Sequence, residues 1–521
     1  MKKITMSLVV LLTVLLVSPN LFAKMGTGKL TAASDDVDIQ FFGSFEPRPT
    51  FVDNPDFNDK QTGFDYLVGE AGLFGEDDVS VRTEARLGFK GSGKNWTFNT
   101  ILESDFVLDK RNTDRGAGRM GPSDSGMTGE DFGIEKLLFT YDFTEHCCPI
   151  ELRAGWETNW LDIETGGLIY ADDHPHISFR GKVSNIGWQV NYMSIYDDIG
   201  IDDGGEVGTM DGDNLDWDVY SARMTIPVNF GDTGTMNFCP IYAYSYNQKR
   251  NAYPSYFGLQ TFGKMGRFVP KAEFAYVYGD KDDYRQAWDN TDAAKDGLIS
   301  GSMLEDDDAD IEAYAFYASL KYQASKMFNP YAAVMFTTGD DDAFDDDVEG
   351  YNAITSTQRY LFSDIGIEDS FIAHYVPVLG SNLYSYTPAR LGAGDDTGYG
   401  GVSDHSSAEN PGMQSVFLGM SGSYDKWFYK LQGAYFEFEE VGALEDLGKL
   451  GVFNGDGARE GDIDDEMGIE VTFRLKYNFS NHFSIGNVIS CFEPGDGVED
   501  LRGDDFDETA FMNTVEIDWH F

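Results

Sequence analysis

Three kinds of residue in this chain could carry chemistry: a few histidines and cysteines, dense runs of acid, and charges set at every second position. Of the seven histidines only His174 and His176, in HPH, stand close together. None lies in a GxSxG or HExxH context, which leaves neither a hydrolase elbow nor a zinc-protease helix. Two imidazoles on one loop make a poor metal site, and no enzyme is expected. Cys147, Cys148, Cys239 and Cys491 form no CxxCH or CxxC, which removes attached haem and thioredoxin-like exchange. They read as isolated small side chains or one local bridge, of open connectivity, set against a redox or metal role. DGDNLDWD, EDDDAD and NGDGAREGDIDDE could attract calcium, a hard cation that takes several carboxylates. None has EF-hand spacing, so solvated charge is the plainer account and no cofactor is expected.

The alternating charges are more orderly. In VSVRTEARLGFKG, Arg82, Glu84, Arg86 and Lys90 share one face of a period-two pattern, and Val79, Val81, Thr83, Ala85, Leu87 and Phe89 share the other. NWTFNTILESDF and GIEVTFRLKYNF repeat the arrangement, with Glu103 and Asp105, then Glu470, Arg474 and Lys476, on the charged side. Elements with one greasy and one charged face are β-strands between an apolar and an aqueous phase.

The same pattern predicts strands near 36–46, 79–90, 95–106, 134–143, 150–158, 177–183, 188–196, 217–230, 235–246, 254–262, 268–278, 311–323, 328–338, 413–424, 427–437, 468–479, 482–492 and 510–521. Their connections alternate between short turns such as GSGK, SNIG and GDTG and much longer stretches, the longest being 339–412. That asymmetry belongs to an all-β transmembrane antiparallel barrel with tight turns on one side and long external loops on the other. About eighteen strands are expected, with sixteen as the alternative. A one-residue slip in 79–90 would aim Arg82 and Arg86 into hydrocarbon, at about 2–4 kcal/mol for each charge at the midplane. Closure into a barrel also leaves no unpaired sheet edge in lipid.

Composition agrees. A net charge of -51 argues against nucleic acid as a partner, since phosphates need a basic face. Disorder is argued against by 14% aromatic and 41% hydrophobic residues. Residues 1–23, with Lys2 and Lys3 before an apolar run from Leu8 to Val17 and then Pro19, read as a secretory signal peptide cut after Ala23. No later stretch has the roughly 18 apolar residues of a membrane helix, so 24–521 is expected to be one barrel domain.

RLGFKGSGKNWTFNTILESDF resembles the early hairpin of Gram-negative outer-membrane porins, general diffusion and phosphate-selective alike, and KLLFTYDFTEHCCPIELRAGWETNW is similar to the unit that leads into their constriction loop. FMNTVEIDWHF, with Val515, Ile517, Trp519 and Phe521 on one face, resembles the terminal signature that the barrel assembly machinery recognises, and is expected to close the barrel onto VDIQFFGSF. The resemblance implies a homotrimer in the bacterial outer membrane, among its lipid and lipopolysaccharide. It also implies an inward-folding loop, here LDIETGGLIYADDHPHIS, offering Asp162, Glu164, Asp172 and Asp173 against a basic wall. Eighteen strands exceed the sixteen typical of general porins, and the external loops are unusually acidic.

If the apolar face meets lipid, the other lines water. Its cations are Arg82, Arg86, Lys90, Arg153, Arg180, Lys182, Arg223, Lys271, Lys321, Arg474 and Lys476, among Glu84, Glu151, Glu157 and Glu273. Opposed charges across a narrow pore would screen solutes by charge and dipole; the plainer account is that each charge is simply solvated and paired. Residues 279–310 hold eleven acids against three cations, so the mouth is expected to favour cations mildly within about 8 Å, a Debye length at physiological salt. The alternatives to a passive channel are a barrel scaffold or adhesin, or the sheath of an electron-transfer conduit.

Overall fold

The computed structural model describes residues 32–34, 37–54, 79–107, 128–129, 133–145, 148–162, 164–165, 167–196, 216–248, 251–282, 308–342, 344–354, 366–367, 370–371, 411–449, 462–502 and 507–521. The signal-peptide expectation and Cys147 fall outside them.

Eighteen antiparallel strands close into one barrel. In chain order they are β1 Val37–Asp53, β2 Val79–Ser92, β3 Trp96–Val107, β4 Gly133–Asp142, β5 Ile150–Trp160 and β6 Ala171–Val183. There follow β7 Ile186–Tyr196, β8 Trp217–Asn229, β9 Gly234–Asn247, β10 Ser255–Met265, β11 Phe268–Lys281 and β12 Ala309–Tyr322. The last six are β13 Asn329–Thr337, β14 Met413–Tyr424, β15 Trp427–Glu437, β16 Glu466–Asn478, β17 Phe483–Pro494 and β18 Ala510–His520. The alternative of sixteen is thereby excluded, and the faint pattern at 254–262 is a full strand.

Each strand pairs with its chain neighbours, and β18 pairs with β1, from Ser44↔His520 and Phe45↔Trp519 to Asp53↔Phe511. This seam has an opening. No pairs form across 46–49, where Pro47 and Pro49 have no N–H to give. The orphaned carbonyl of Ile517 instead accepts a long bond from Arg48 Nη1, 3.4 Å away.

Short turns gather at one end of the barrel. Two of them place Ser184 and Asp425 at positive φ, 58° and 52°, the backbone that two-residue hairpins require. The long connections lie at the other end, and among their described residues are two helices, α1 Gly442–Lys449 and α2 Asp496–Arg502. A two-residue strand, Asp347–Val348, runs parallel to the start of β12 at Asp310 and Ile311.

Around β2 to β16 the outward positions are large and apolar: Leu87, Phe179, Tyr220, Phe257, Phe274, Phe316, Leu418 and Val471 are all exposed. An exposed belt of this extent has no place in water.

The interior differs from the uniform water-lined face expected from the alternation. Along β8–β13 the inward residues include Val219, Ile241, Tyr256, Val277, Ala313 and Tyr317, all buried and apolar. Covering them are Leu161, Leu168, Ile169 and Tyr170 from the β5–β6 loop, with Tyr351 and Ile354 from the β13–β14 connection, in one continuous core. That connection, expected to be wholly external, therefore sends part of itself inside. The Tyr351 hydroxyl donates to the Leu168 carbonyl at 2.6 Å, and Ile354 N–H to the Ile169 carbonyl at 2.9 Å. Further along, Phe371 is buried against Phe492 of β17, rings 5.4 Å apart, and its N–H donates to Ser490 Oγ at 3.0 Å. Lys430 Nζ donates to the Gly366 carbonyl at 2.6 Å.

Candidate functional site: an ionic wall facing an apolar plug

The opposite half of the interior, from β15 through β18 and β1 to β6, is charged. Arg474 of β16 grips Glu516 of β18 with two nitrogens, Nε at 2.9 Å and Nη2 at 2.6 Å, in the bidentate geometry that suits guanidinium and carboxylate. Lys476 reaches Asp518 at 2.5 Å. Asp518 also takes Arg48 at 2.9 Å across the seam, and Arg48 turns to Glu46 at 3.0 Å. On β2, Arg86 pairs with Glu84, with Glu103 at 2.6 Å and with Glu135 at 3.2 Å.

A β-bulge makes the last contact possible. In β4 the partner of Ile101 is Lys136 and that of Leu102 is Ile134, leaving Glu135 as the extra residue. Glu135 and Lys136 thus both reach interior partners although adjacent in sequence: Glu135 meets Arg86, and Lys136 meets Glu157 at 2.7 Å. Arg153 also pairs with Glu157, and lies 3.5 Å from Glu151, which binds Arg180 at 2.7 Å.

The cations named above thus meet acids on their own strand or one or two strands away. Pairing runs sideways along the wall, so each cation's field is partly spent before it reaches the lumen.

The plug side is a dry hydrogen-bonded fastening. Asp162 is fully buried, and its carboxylate accepts the N–H groups of Ile169, at 2.5 Å, and Tyr170, at 3.2 Å. Arg223 Nη2 donates to Gln260 Oε1 at 2.8 Å, and Gln260 Nε2 to Thr165 Oγ1 at 2.8 Å. Thr165 is in turn bonded to Glu273 of β11.

The sequence-derived residues are therefore divided. Arg86, Arg153, Arg180, Arg474 and Lys476 meet on the ionic wall. Lys90 is exposed near the turn end of β2, opposite Gln40. Arg82 stands on β2 opposite Arg48, its side chain outside the described set. Arg223 belongs to the plug fastening. Lys271 and Lys321 occupy inward positions on β11 and β12, opposite Ser319 and Tyr331.

Of the four expected loop acids, Asp162 braces its own loop and Glu164 is half-buried in it. Asp172 and Asp173 are not in the loop, because β6 starts at Ala171 and the loop ends at Tyr170. For the same reason His174 and His176 are strand residues: His174 Nδ1 meets the Tyr170 hydroxyl at 2.7 Å, and His176 Nδ1 lies 3.3 Å from the His174 carbonyl. On β18, Trp519 and Phe521 are ring neighbours at 5.7 Å, Ile517 is half-buried and Val515 is buried. Phe521 rests on Gly43, where a Cβ would come within 2.6 Å of its ring. Cys239 is buried inward beside Arg223, with Cys491 half-buried on β17, and neither forms a disulfide.

Arg48, Glu516, Asp518, Lys136 and Glu135 were not singled out from sequence. Arg48 is hidden between two prolines that argue against a strand, and the bulge breaks the period at Glu135.

No protein-family model matches this chain, and no curated protein matches it in sequence. Its fold is similar to solved structures at very low identity, among them the following three. The Salmonella typhi OmpF complex with daunomycin aligns with a TM-score of 0.41 at 11% identity, over 94% of this chain and 100% of that one. Acinetobacter baumannii OccAB4 aligns at 0.46 and 10%, over 94% and 98%. Pseudomonas aeruginosa OccK8 (OprE) aligns at 0.46 and 10%, over 93% and 98%. The chemistry of the site has to come from this chain's own side chains.

Proposed function

We propose that this chain is an outer-membrane porin, a channel through which ions and small hydrophilic solutes diffuse passively between the ionic wall and the plug. One observation carries the reading: the closed barrel turns Leu418, Phe316, Phe257 and Val471 outward while Arg86, Arg474 and their carboxylates line the interior. A hydrocarbon phase outside and water inside satisfy both faces.

The acid-rich connections, GDDDAFDDDVE among them, give the mouth a mild cation preference. Exposed aromatics such as Phe521 and Trp427 suit the membrane interface. Insertion by the barrel assembly machinery, contact with lipopolysaccharide and assembly as a homotrimer belong to the same proposal. No catalytic role is included.

The apolar packing of Tyr351 and Ile354 against the wall favours a second reading, a sealed scaffold. Swelling of proteoliposomes in sugars of increasing size separates the two. A porin admits small sugars and excludes larger ones, whereas a scaffold leaves the vesicles unswollen in all of them.

A further inference from the structure

The two ends of the barrel carry opposite charge on the same strands. Near the long connections Asp310 and Glu312 of β12 are exposed, Glu312 accepting the Tyr276 hydroxyl at 2.8 Å, and Glu437 at the end of β15 accepts the Tyr435 hydroxyl at 2.7 Å. At the turn end the sign reverses. Arg267, Lys326 and Lys426 stand in three successive turns, β10–β11, β12–β13 and β14–β15, whose only acid is Asp425. In a chain of net charge -51 this is a local basic rim.

Each cation is held in its row by its own backbone. The Arg267 carbonyl accepts the Gln323 N–H at 2.7 Å, the Lys326 carbonyl the Ser423 N–H at 2.9 Å, and the Lys426 carbonyl the Asn478 N–H at 2.9 Å. Every turn is thereby tied to the next hairpin through the residue that bears the charge. Successive turns lie two strands apart, about 10 Å. All three cations are exposed, and among the described residues none is in an ion pair; Lys426 Nζ donates to the Phe479 carbonyl at 3.0 Å.

Beside them the outward face is aromatic. Phe268 packs on Tyr322 with ring centres 5.0 Å apart, and Trp427 on Tyr477 at 4.7 Å, with Lys426 Nζ 6.0 Å from the Tyr477 ring. Phe268, Phe328, Tyr424 and Trp427 are all exposed. Amphipathic rings at one level of a barrel mark the boundary between hydrocarbon and headgroups, and an anionic headgroup is the complement of a cation placed there.

We infer that this rim is a docking surface for anionic phospholipids, whose phosphates sit against Arg267, Lys326 and Lys426 while their acyl chains lie along Phe268, Phe328 and Trp427. The inference rests on the porin reading for a bilayer around the barrel, and it names the lipid that the turn-end leaflet supplies. Free phosphate would meet the cations and leave the rings bare. A neutral lipid would cover the rings and leave three charges without counter-ions. The exposed acids at the opposite end repel the same headgroups, so the barrel distinguishes the two leaflets.

The test reconstitutes the purified barrel into phosphatidylcholine vesicles that contain, at equal mole fraction, either brominated phosphatidylglycerol or brominated phosphatidylcholine, and reads quenching of tryptophan fluorescence. The wild type is compared with the triple variant Arg267→Gln, Lys326→Gln, Lys426→Gln, and the wild type is also followed from about 50 mM to about 1 M salt. Phosphatidylglycerol is expected to be preferred by roughly three-fold or more at low salt, with the preference falling towards none at high salt and absent from the variant. Equal quenching by the two lipids in the wild type overturns the inference, as does a preference that survives in the variant or at high salt. Should the variant not fold, the salt series in the wild type decides. If neither brominated lipid quenches, the barrel is not in the bilayer and the porin reading itself fails, whereas equal quenching by both leaves that reading standing.

Discussion

Arg48 and Asp518, on the first and last strands of the barrel, form an ion pair at 2.9 Å across the stretch of seam where Pro47 and Pro49 interrupt the ladder. A side chain does there what the backbone cannot. Both residues are nearly buried, and each has a second partner, Glu46 for Arg48 and Lys476 for Asp518. Truncating a buried pair leaves one charge uncompensated, at about 3–5 kcal/mol, and the second partner softens that cost. Arg48→Met is therefore expected to lower barrel stability by about 1–3 kcal/mol, seen as unfolding at lower urea on a gel that separates folded from unfolded barrel. R48M with Asp518→Asn is expected to cost less than the sum of the single changes. Additive losses would mean that the pair does not hold the seam.

Leu418, in the middle of β14, is 63% exposed on the outer face. Leu418→Arg is expected to cost about 2–4 kcal/mol if that face meets the bilayer midplane. The comparison to make is folding yield into lipid vesicles, L418R against Leu418→Ala. Equal yields would place the face in water.

Arg86 stands among Glu84, Glu103 and Glu135. Arg86→Gln leaves those carboxylates without their guanidinium, and the potassium-to-chloride permeability ratio is expected to rise by roughly two-fold or more at low salt, less at high salt. Reversal potentials measured across a salt gradient report it. An unchanged ratio would put the permeation path elsewhere.

Phe371 is fully buried where the long connection meets β17. Phe371→Ala removes a buried aromatic ring, about 3–5 kcal/mol in a typical core. The expected result is local release of the connection: faster proteolysis between 351 and 371 and a noisier, larger conductance, with the barrel intact. Unaltered cleavage would mean that the connection is held without it.

In the acid-rich connection, burial pushes Asp345 up to about 6, its neighbours Asp342 and Asp347 adding to the rise. A carboxyl group with a raised folded-state value favours the ordered loop in its protonated form. The contribution is complete below the ordinary value near 4 and is lost as pH rises through about 6. Limited proteolysis should accordingly cut 340–349 more slowly at about pH 5 than at about pH 7.5, and Asp345→Asn should remove the difference. The same pH difference in D345N would point to another group.

Much of the barrel was legible because its cause is local. Period-two alternation is written residue by residue in VSVRTEARLGFKG, and tight turns declare themselves through Gly, Asn and Asp, so all eighteen strands stand close to where the pattern put them. Errors arose where a nonlocal partner decided. β1 runs through Pro47 and Pro49 because Arg48 and β2 complete it, and β6 starts six residues early because Asp172, Asp173 and HPH pair with β5. The lateral pairing of the ionic wall depends on a bulge at Glu135. The plug was unreadable because Tyr351, Ile354 and Phe371 meet residues some 120 to 185 positions away, and no local period records such a meeting.

The central claim is a water column between the ionic wall and the plug. Reconstituting the purified barrel into a planar bilayer and recording single-channel current under a potassium chloride gradient tests it most directly. Discrete steps are predicted, with a reversal potential of the sign that favours potassium, shrinking as salt is raised. A barrel that inserts and passes no steps, or one whose reversal potential favours chloride at low salt, contradicts it.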